Sequence, residues 1–350
     1  MADPEFQPDP AVVKRSAPTV EDVARAAGVS TATVSRCLNM PAKVGEATRT
    51  RVLKVVAELG YSPNFGARAL AAKRTRTIGA IVPTMENAIF ARGLQAFQEE
   101  LGLHGYTLLV ASSSYSPERE ADQIRTLVAR GADALLLIGF DRAPAITEWL
   151  EARAVPHVIA WAYDADAKAL SVGFDNREAM RALASEVFAR GHRRVAVLTA
   201  PIAQNDRARE RLAGVRAAAA EAGLDPDTLR VVETPYSFDN GAAQMDLLMG
   251  DTPRPTAVIC GNDILAAGAI AAARAKGLRV PGDVSVTGFD DIEIARVLDP
   301  LLTTVHVPHR DMGRACARDL IDILENGTHP ASTELRTEVM LRGSLGPPAD

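Results

Sequence analysis

The sequence predicts an α/β protein with a helical head: a small N-terminal three-helix domain followed by two doubly wound halves. Three observations predict it. From Thr77 onward short apolar runs alternate with helical stretches, whereas residues 19–59 carry helical periodicity alone. The charge is split as well. Between Lys14 and Arg76 twelve Lys/Arg face four Asp/Glu, while residues 77–350 carry a net −10. At 350 residues the chain exceeds one typical domain.

Residues 1–17 are read as a flexible tail, with Met1–Phe6 set aside as a cloning remnant. They hold Asp3, Glu5, Asp9 and several prolines but no apolar run, which excludes a secretory signal. Residues 18–63 form the head. Thr19 caps a first helix whose Val20, Val23, Ala24 and Ala27 repeat at helical spacing, with Glu21 and Asp22 in the dipole-favoured first turn. Gly28 supplies a tight turn and Ser30 caps a second helix, Thr31–Leu38. That helix turns Val34 and Leu38 inward and Thr31, Ala32, Ser35 and Arg36 outward. A third helix, Glu46–Leu59, adds Val52, Val55, Val56 and Leu59 to the same core. Two short helices joined at glycine and braced by a third describe a helix-turn-helix.

In the body, Ile78–Pro83, Thr107–Ala111, Ala134–Gly139, Pro156–Ala160, Val195–Thr199, Ala257–Cys260 and Val284–Gly288 read as buried strands. Helices such as Phe90–Leu103, Arg177–Arg190, Arg209–Ala222 and Leu265–Lys276 separate them, several ending at glycine. Repeated βα units imply parallel sheets covered on both faces, with ligand cleft at the strand C-termini.

Composition excludes other classes. Hydrophobic residues make up 47% and charged residues 24%, and the apolar runs are strand-length, so no membrane span is expected. Cys37, Cys260 and Cys316 are scattered, against a zinc site or disulfide framework and in keeping with a reducing cytoplasm. No GxGxxG, GxxxxGK[ST], HExxH or GxSxG occurs, so neither a catalytic residue, a cofactor nor a metal is expected. A basic head on an acidic body is the charge footprint of a nucleic-acid reader joined to something else.

Thr19–Asn39 (TVEDVARAAGVSTATVSRCLN), Leu59–Pro63 (LGYSP) and Asn64–Leu70 (NFGARAL) resemble the DNA-binding signature of the lactose-repressor (LacI) family. The resemblance resumes in VGFDN from Val172, RERLAG from Arg209, CGND from Cys260, GFDD from Gly288 and PLLTTV from Pro300, and covers over nine tenths of the chain. It implies a transcriptional regulator with a periplasmic-binding-protein-like, two-lobed sensor over residues 77–350. Lobe 1 is then about 77–174 and 304–331, lobe 2 about 175–303 and 332–345. By resemblance Thr31, Ala32 and Arg36 read the major groove, and Arg36 has the fork that fits guanine O6 and N7. Thr33, Ser35, Asn39 and Thr48 correspond to phosphate-facing positioners. Residues 64–76 match a hinge helix and linker, placing Arg68 in the minor groove and Leu70 as a wedge between base steps.

Phe90, Trp161, Phe174, Arg211, Asn262 and Asp290 match effector-contacting positions. Asp290, Asn262 and Arg211 can bind hydroxyl groups, and aromatic rings can cover a sugar face. Trp161 departs from the Asp of many sugar-binding members. Local texture is close to the gluconate-repressor branch, which adds sugar acids beside neutral sugars. Asp263 and Asp291 are equally suited to bracing their turns, and Asp175 and Asn176 to the interlobe crossover.

The resemblance thus implies a cytoplasmic homodimer on a pseudo-palindromic double-stranded operator, released when a small sugar-type effector closes the cleft; a corepressor-type response is the alternative. A transport receptor would need a signal peptide and no basic head, and a sugar-modifying enzyme an acid/base or metal constellation. Neither fits residues 19–76.

Overall fold

The computed structural model describes residues 17–62, 74–86 and 88–349. These fall in two compact units that divide between Thr75 and Arg76. Residues 64–73 of the expected hinge and linker, with Arg68 and Leu70, lie outside the described residues.

The first unit holds α1 (Val20–Ala27), α2 (Thr31–Asn39), a 3-10 turn at Pro41–Lys43 and α3 (Glu46–Leu59). Thr19 and Asp22 cap α1 reciprocally: the Thr19 hydroxyl accepts the Asp22 N–H at 3.3 Å and Asp22 accepts the Thr19 N–H at 3.0 Å. Gly28 ends α1 in the left-handed region at φ 64°, and the Ser30 hydroxyl accepts the Thr33 N–H. The core is Val23, Ala24, Ala27, Val34, Cys37 and Val52, with Val55, Val56 and Leu38 packed against it. One expectation changes. Leu59 is 40% exposed, because α3 has by then run past the α1–α2 pair. Cys37 takes an inward place three residues after Val34, as the helical period requires.

The second unit opens with β1 (Thr77–Val82), α4 (Ala88–Leu103), β2 (Thr107–Ser112), α5 (Pro117–Ala129), β3 (Ala134–Ile138), α6 (Pro144–Ala152), β4 (His157–Ala160) and β5 (Ser171–Gly173). It continues through α7 (Asn176–Ala189), β6 (Val195–Thr199), α8 (Asp206–Glu221), β7 (Arg230–Glu233), α9 (Phe238–Leu248), β8 (Ala257–Cys260), α10 (Asp263–Ala275) and β9 (Ser285–Thr287). β10 (Thr304–His306), α11 (His309–Asn326), β11 (Thr333–Glu334) and β12 (Glu338–Met340) complete it.

One sheet has the order β11-β5-β4-β3-β1-β2 and the other β7-β6-β8-β9, with every pairing in both parallel. Strands β1, β3, β6, β8 and β9 are buried along their whole length, which is why they read as continuous apolar runs. β10 pairs antiparallel with β12 where the chain recrosses. The division expected at residue 332 moves, since Thr333 and Glu334 cover the β5 edge of the first sheet. α8 begins three residues earlier than expected, because the Asn205 side chain caps it by accepting the Ala208 N–H. At the end of the chain Ser344 ties β9 to Thr303: its hydroxyl donates to the Val286 carbonyl and accepts the Thr303 N–H. The His192 ring sits 2.9 Å from the Gly346 carbonyl.

Candidate nucleic-acid face and interlobe chamber

On α2, Thr31, Ala32, Ser35, Arg36 and Asn39 are exposed and Thr33 is half-buried. Asn39 donates to the Ser35 hydroxyl at 3.2 Å, and the Thr33 and Ser30 hydroxyls lie 2.9 Å apart. Thr48 is half-buried near the start of α3. Among the described residues of this unit the ion pairs are Arg25–Asp22 and Lys54–Glu58. Arg36, Lys43, Arg49 and Arg51 therefore keep guanidinium and ammonium groups uncommitted to any acid in it.

In the second unit the C-terminal ends of β1, β2, β3 and β4 face those of β6, β7 and β8 across a cleft. Its inner chamber is walled by Ile89, Phe90, Tyr115, Trp161, Asn205, Arg207, Arg211 and Tyr236 and holds about 10 Å³, the room of a single water. Toward solvent it meets an outer compartment of about 880 Å³ that shares Tyr115, Asn205 and Tyr236. Trp161 fills much of the inner space. Its ring meets Phe90 edge-on at 5.3 Å and lies over His309 at 6.2 Å, and its Nε1 is buried without a partner.

Asp290 is 1% exposed, and both its carboxylate oxygens lack a hydrogen-bond partner. The nearest cation is the Arg211 guanidinium, at 3.7 Å. Burial raises the Asp290 carboxyl to about 7, with Arg211 opposing the rise. Arg211 is itself fixed: it donates to Asn176 Oδ1 at 2.9 Å and to the Gly261 carbonyl at 2.8 Å, and stacks on the Phe289 ring at 3.7 Å. Asn176 in turn donates to the Trp161 carbonyl at 3.0 Å, so one amide sets both walls. Both ring nitrogens of buried His309 also lack a partner, and burial, with Arg92 next, holds its pKa down to about 3. Trp161 and Asp290 have φ of 61° and 106°, conformations that cost side-chain-bearing residues about 1–3 kcal/mol and cluster at binding sites.

Phe90, Trp161 and Arg211 line the chamber. Asn262 divides its role: Oδ1 caps α10 by accepting the Leu265 N–H, while Nδ2 is buried and unpartnered. Asn262 and Asp290 stand behind this lining, Asp290 against Arg211, and Phe174 is not among the lining residues either. It is core, stacked on Phe289 at 6.0 Å behind Arg211, because β5 points it into the packed interior. Asp263 and Asp291 brace their turns. Asp263 accepts from Thr304 and the Ile292 N–H, and Asp291 binds Arg296, Arg342 and His306. Burial works against the charge of Asp291, but these three bonds win and hold its pKa below the usual value. Sequence reasoning missed Tyr115, Asn205, Arg207, Tyr236 and His309. The strand-end positions of Tyr115, after β2, and Tyr236, after β7, are the signals that could have found two of them.

Residues 19–64 match the model of bacterial regulatory proteins of the lacI family, and residues 184–345 that of a periplasmic binding protein-like domain. The HTH-type transcriptional repressor PurR of Vibrio atlanticus (strain LGP32) is 34% identical over 333 residues, covering 93% of this chain and 98% of that protein. The chain belongs to the LacI family. It is a DNA-binding transcriptional regulator, and its relatives are regulators, not enzymes. Among solved LacI-family structures, the lac repressor dimer bound to operator and the anti-inducer ONPF superposes with a TM-score of 0.83 at 27% identity, covering 95% of this chain and 100% of that one. A CelR–cellobiose complex superposes with a TM-score of 0.66 at 30% identity, covering 93% and 99%. Among the described residues no helix is long and apolar enough to cross a membrane.

Proposed function

We propose that this LacI-family member is a cytoplasmic, homodimeric repressor of carbohydrate-metabolism genes whose interlobe chamber binds a small sugar-type effector. The observation that carries the reading is Asp290. A buried carboxylate with two unused oxygens costs several kcal/mol unless something supplies hydrogen bonds, and neighbouring hydroxyls on one ring would supply both. The unpartnered Trp161 Nε1 and Asn262 Nδ2 add donors for ring oxygens, and Phe90 and Trp161 give an apolar wall. The CelR–cellobiose neighbour supports a sugar; a sugar acid, its carboxylate turned toward Arg211, is the second reading.

In the head, Thr31, Ala32 and Arg36 read base edges while Thr33, Ser35, Asn39 and Thr48 position the backbone. Arg68 and Leu70 enter the minor groove of a pseudo-palindromic operator. The domain divisions are 18–63, 64–76 and 77–350, and effector binding releases the operator. The test is operator binding titrated against neutral sugars, sugar acids, purines and phosphorylated sugars, in wild type and Asp290→Ala. One panel member shifts operator affinity in the wild type. Asp290→Ala binds operator normally but loses about a hundredfold in effector affinity, roughly 3 kcal/mol. Near-native calorimetric affinity in the variant removes Asp290 from the site.

A further inference from the structure

The lobes meet along a second set of contacts, at the edge of the chamber where Arg207 lines it, between the end of β3 in lobe 1 and the first turn of α8 in lobe 2. The Phe140 N–H donates to Asp206 Oδ2 at 2.6 Å. Arg209 holds Asp141 with two nitrogens, at 2.9 and 2.8 Å. Arg207 pairs with Asp206 at 2.7 Å, and both pack on Gly139 so closely that a Cβ there would overlap them; Gly139 also needs its φ of 69°. Each side is anchored within its own lobe. Arg142 donates to Glu120 and the Gly139 carbonyl, and Arg209 to the Ile202 carbonyl.

From this geometry we propose that the seam is an ionic lock, which stabilises the closed arrangement of the sensor lobes. Three acids (Glu120, Asp141, Asp206) and three bases (Arg142, Arg207, Arg209) pair in the seam, so each ion that loses water on closure meets an opposite charge that offsets the cost. The inner pairs are well buried, whereas Arg209 and Asp141 are 43% and 29% exposed, so the outer clasp is open to screening by salt. The chamber has room for about one water, so an effector enters only when the lock releases. The lock therefore sets the rate of entry, whatever the chemical class of the effector. It does not rest on the sugar reading, because the closed state is defined by protein contacts alone.

The Phe140 amide reports on the lock directly, since its acceptor belongs to the other lobe and its exchange with solvent requires the lobes to part. Amide hydrogen exchange is measured on the full chain without effector, with the β3 amides as reference. Arg209→Ala accelerates exchange at Phe140 by roughly threefold to tenfold while β3 keeps its protection. Raising salt from about 0.05 to about 0.5 M accelerates the wild type and leaves the variant nearly unchanged. The swapped pair Asp141→Arg with Arg209→Asp restores protection. Equal Phe140 exchange in wild type and Arg209→Ala overturns the proposal, as does a fully exchanging amide in the low-salt wild type. Should Arg209→Ala loosen β3 as well, the swap decides: protection regained supports the lock, and protection still lost over an intact β3 overturns it.

Discussion

The α2 face and the interlobe chamber meet ligands in opposite ways. On α2 the reading groups stand in water, so Arg36 keeps its full hydration until DNA replaces it. In and behind the chamber wall the polar groups are already dry: Trp161, and Asp290, His309 and Asn262 around it, all carry buried atoms without partners. The first surface bears the cost of dehydration on binding; the second bears it on folding. Mutations should therefore move binding alone at the first, whereas at the second mutations and pH should move stability as well.

The largest expected effect is on the chamber. The Asp290 carboxyl is raised by burial from 3.8 to about 7. Folded, effector-free protein thus keeps a proton that the unfolded chain gives up above about pH 4. The stability this contributes is complete below that pH and is lost as pH climbs to about 7, at up to ~1.4 kcal/mol per unit. Melting temperatures across this window should fall with pH in the wild type and fall less steeply in Asp290→Asn. Parallel slopes would show that the chamber is not strained by its own charge. Next comes the exposed face. Arg36→Ala should weaken operator binding by about 1–3 kcal/mol and relax preference at one base pair per half-site, with melting unchanged. Uniform weakening on all DNA sequences would reduce Arg36 to a phosphate contact. The smallest effect belongs to Leu59, which lies outside the core despite its helical spacing. Leu59→Ala should change head stability by no more than about 0.5 kcal/mol, whereas Val52→Ala, at a fully buried site, should cost about 1–3 kcal/mol in thermal unfolding.

The same contrast explains what the sequence makes legible. The α2 face is written in one run of residues, because a short helix displays neighbours in sequence as neighbours in space, and α3 was placed to the residue. Strands buried on both faces show as apolar runs, so the core of each sheet could be read too. The chamber is assembled from Phe90, Tyr115, Trp161, Arg211 and Tyr236, with Asp290 behind Arg211, six residues spread over two hundred positions. Each alone has an ordinary structural explanation, and Phe174 in fact has one. Tyr115 and Tyr236 signal only that they follow strand ends, and His309 carries no local signal, since only the approach of the two lobes gives them a role. Periodicity also cannot say where a helix outruns its neighbours, which is why Leu59 was placed inside.

The chain crosses between the lobes three times, and its last crossing ends at Ser344, whose hydroxyl joins β9 to Thr303. On the ribosome this imposes an order of completion. The head closes its core from residues 20–61, all of it available early in synthesis. Lobe 1 must wait for α11 and β11, and lobe 2 for the residues around Ser344 and Gly346. A nascent chain thus carries a finished DNA-binding head long before it carries a sensor able to govern it.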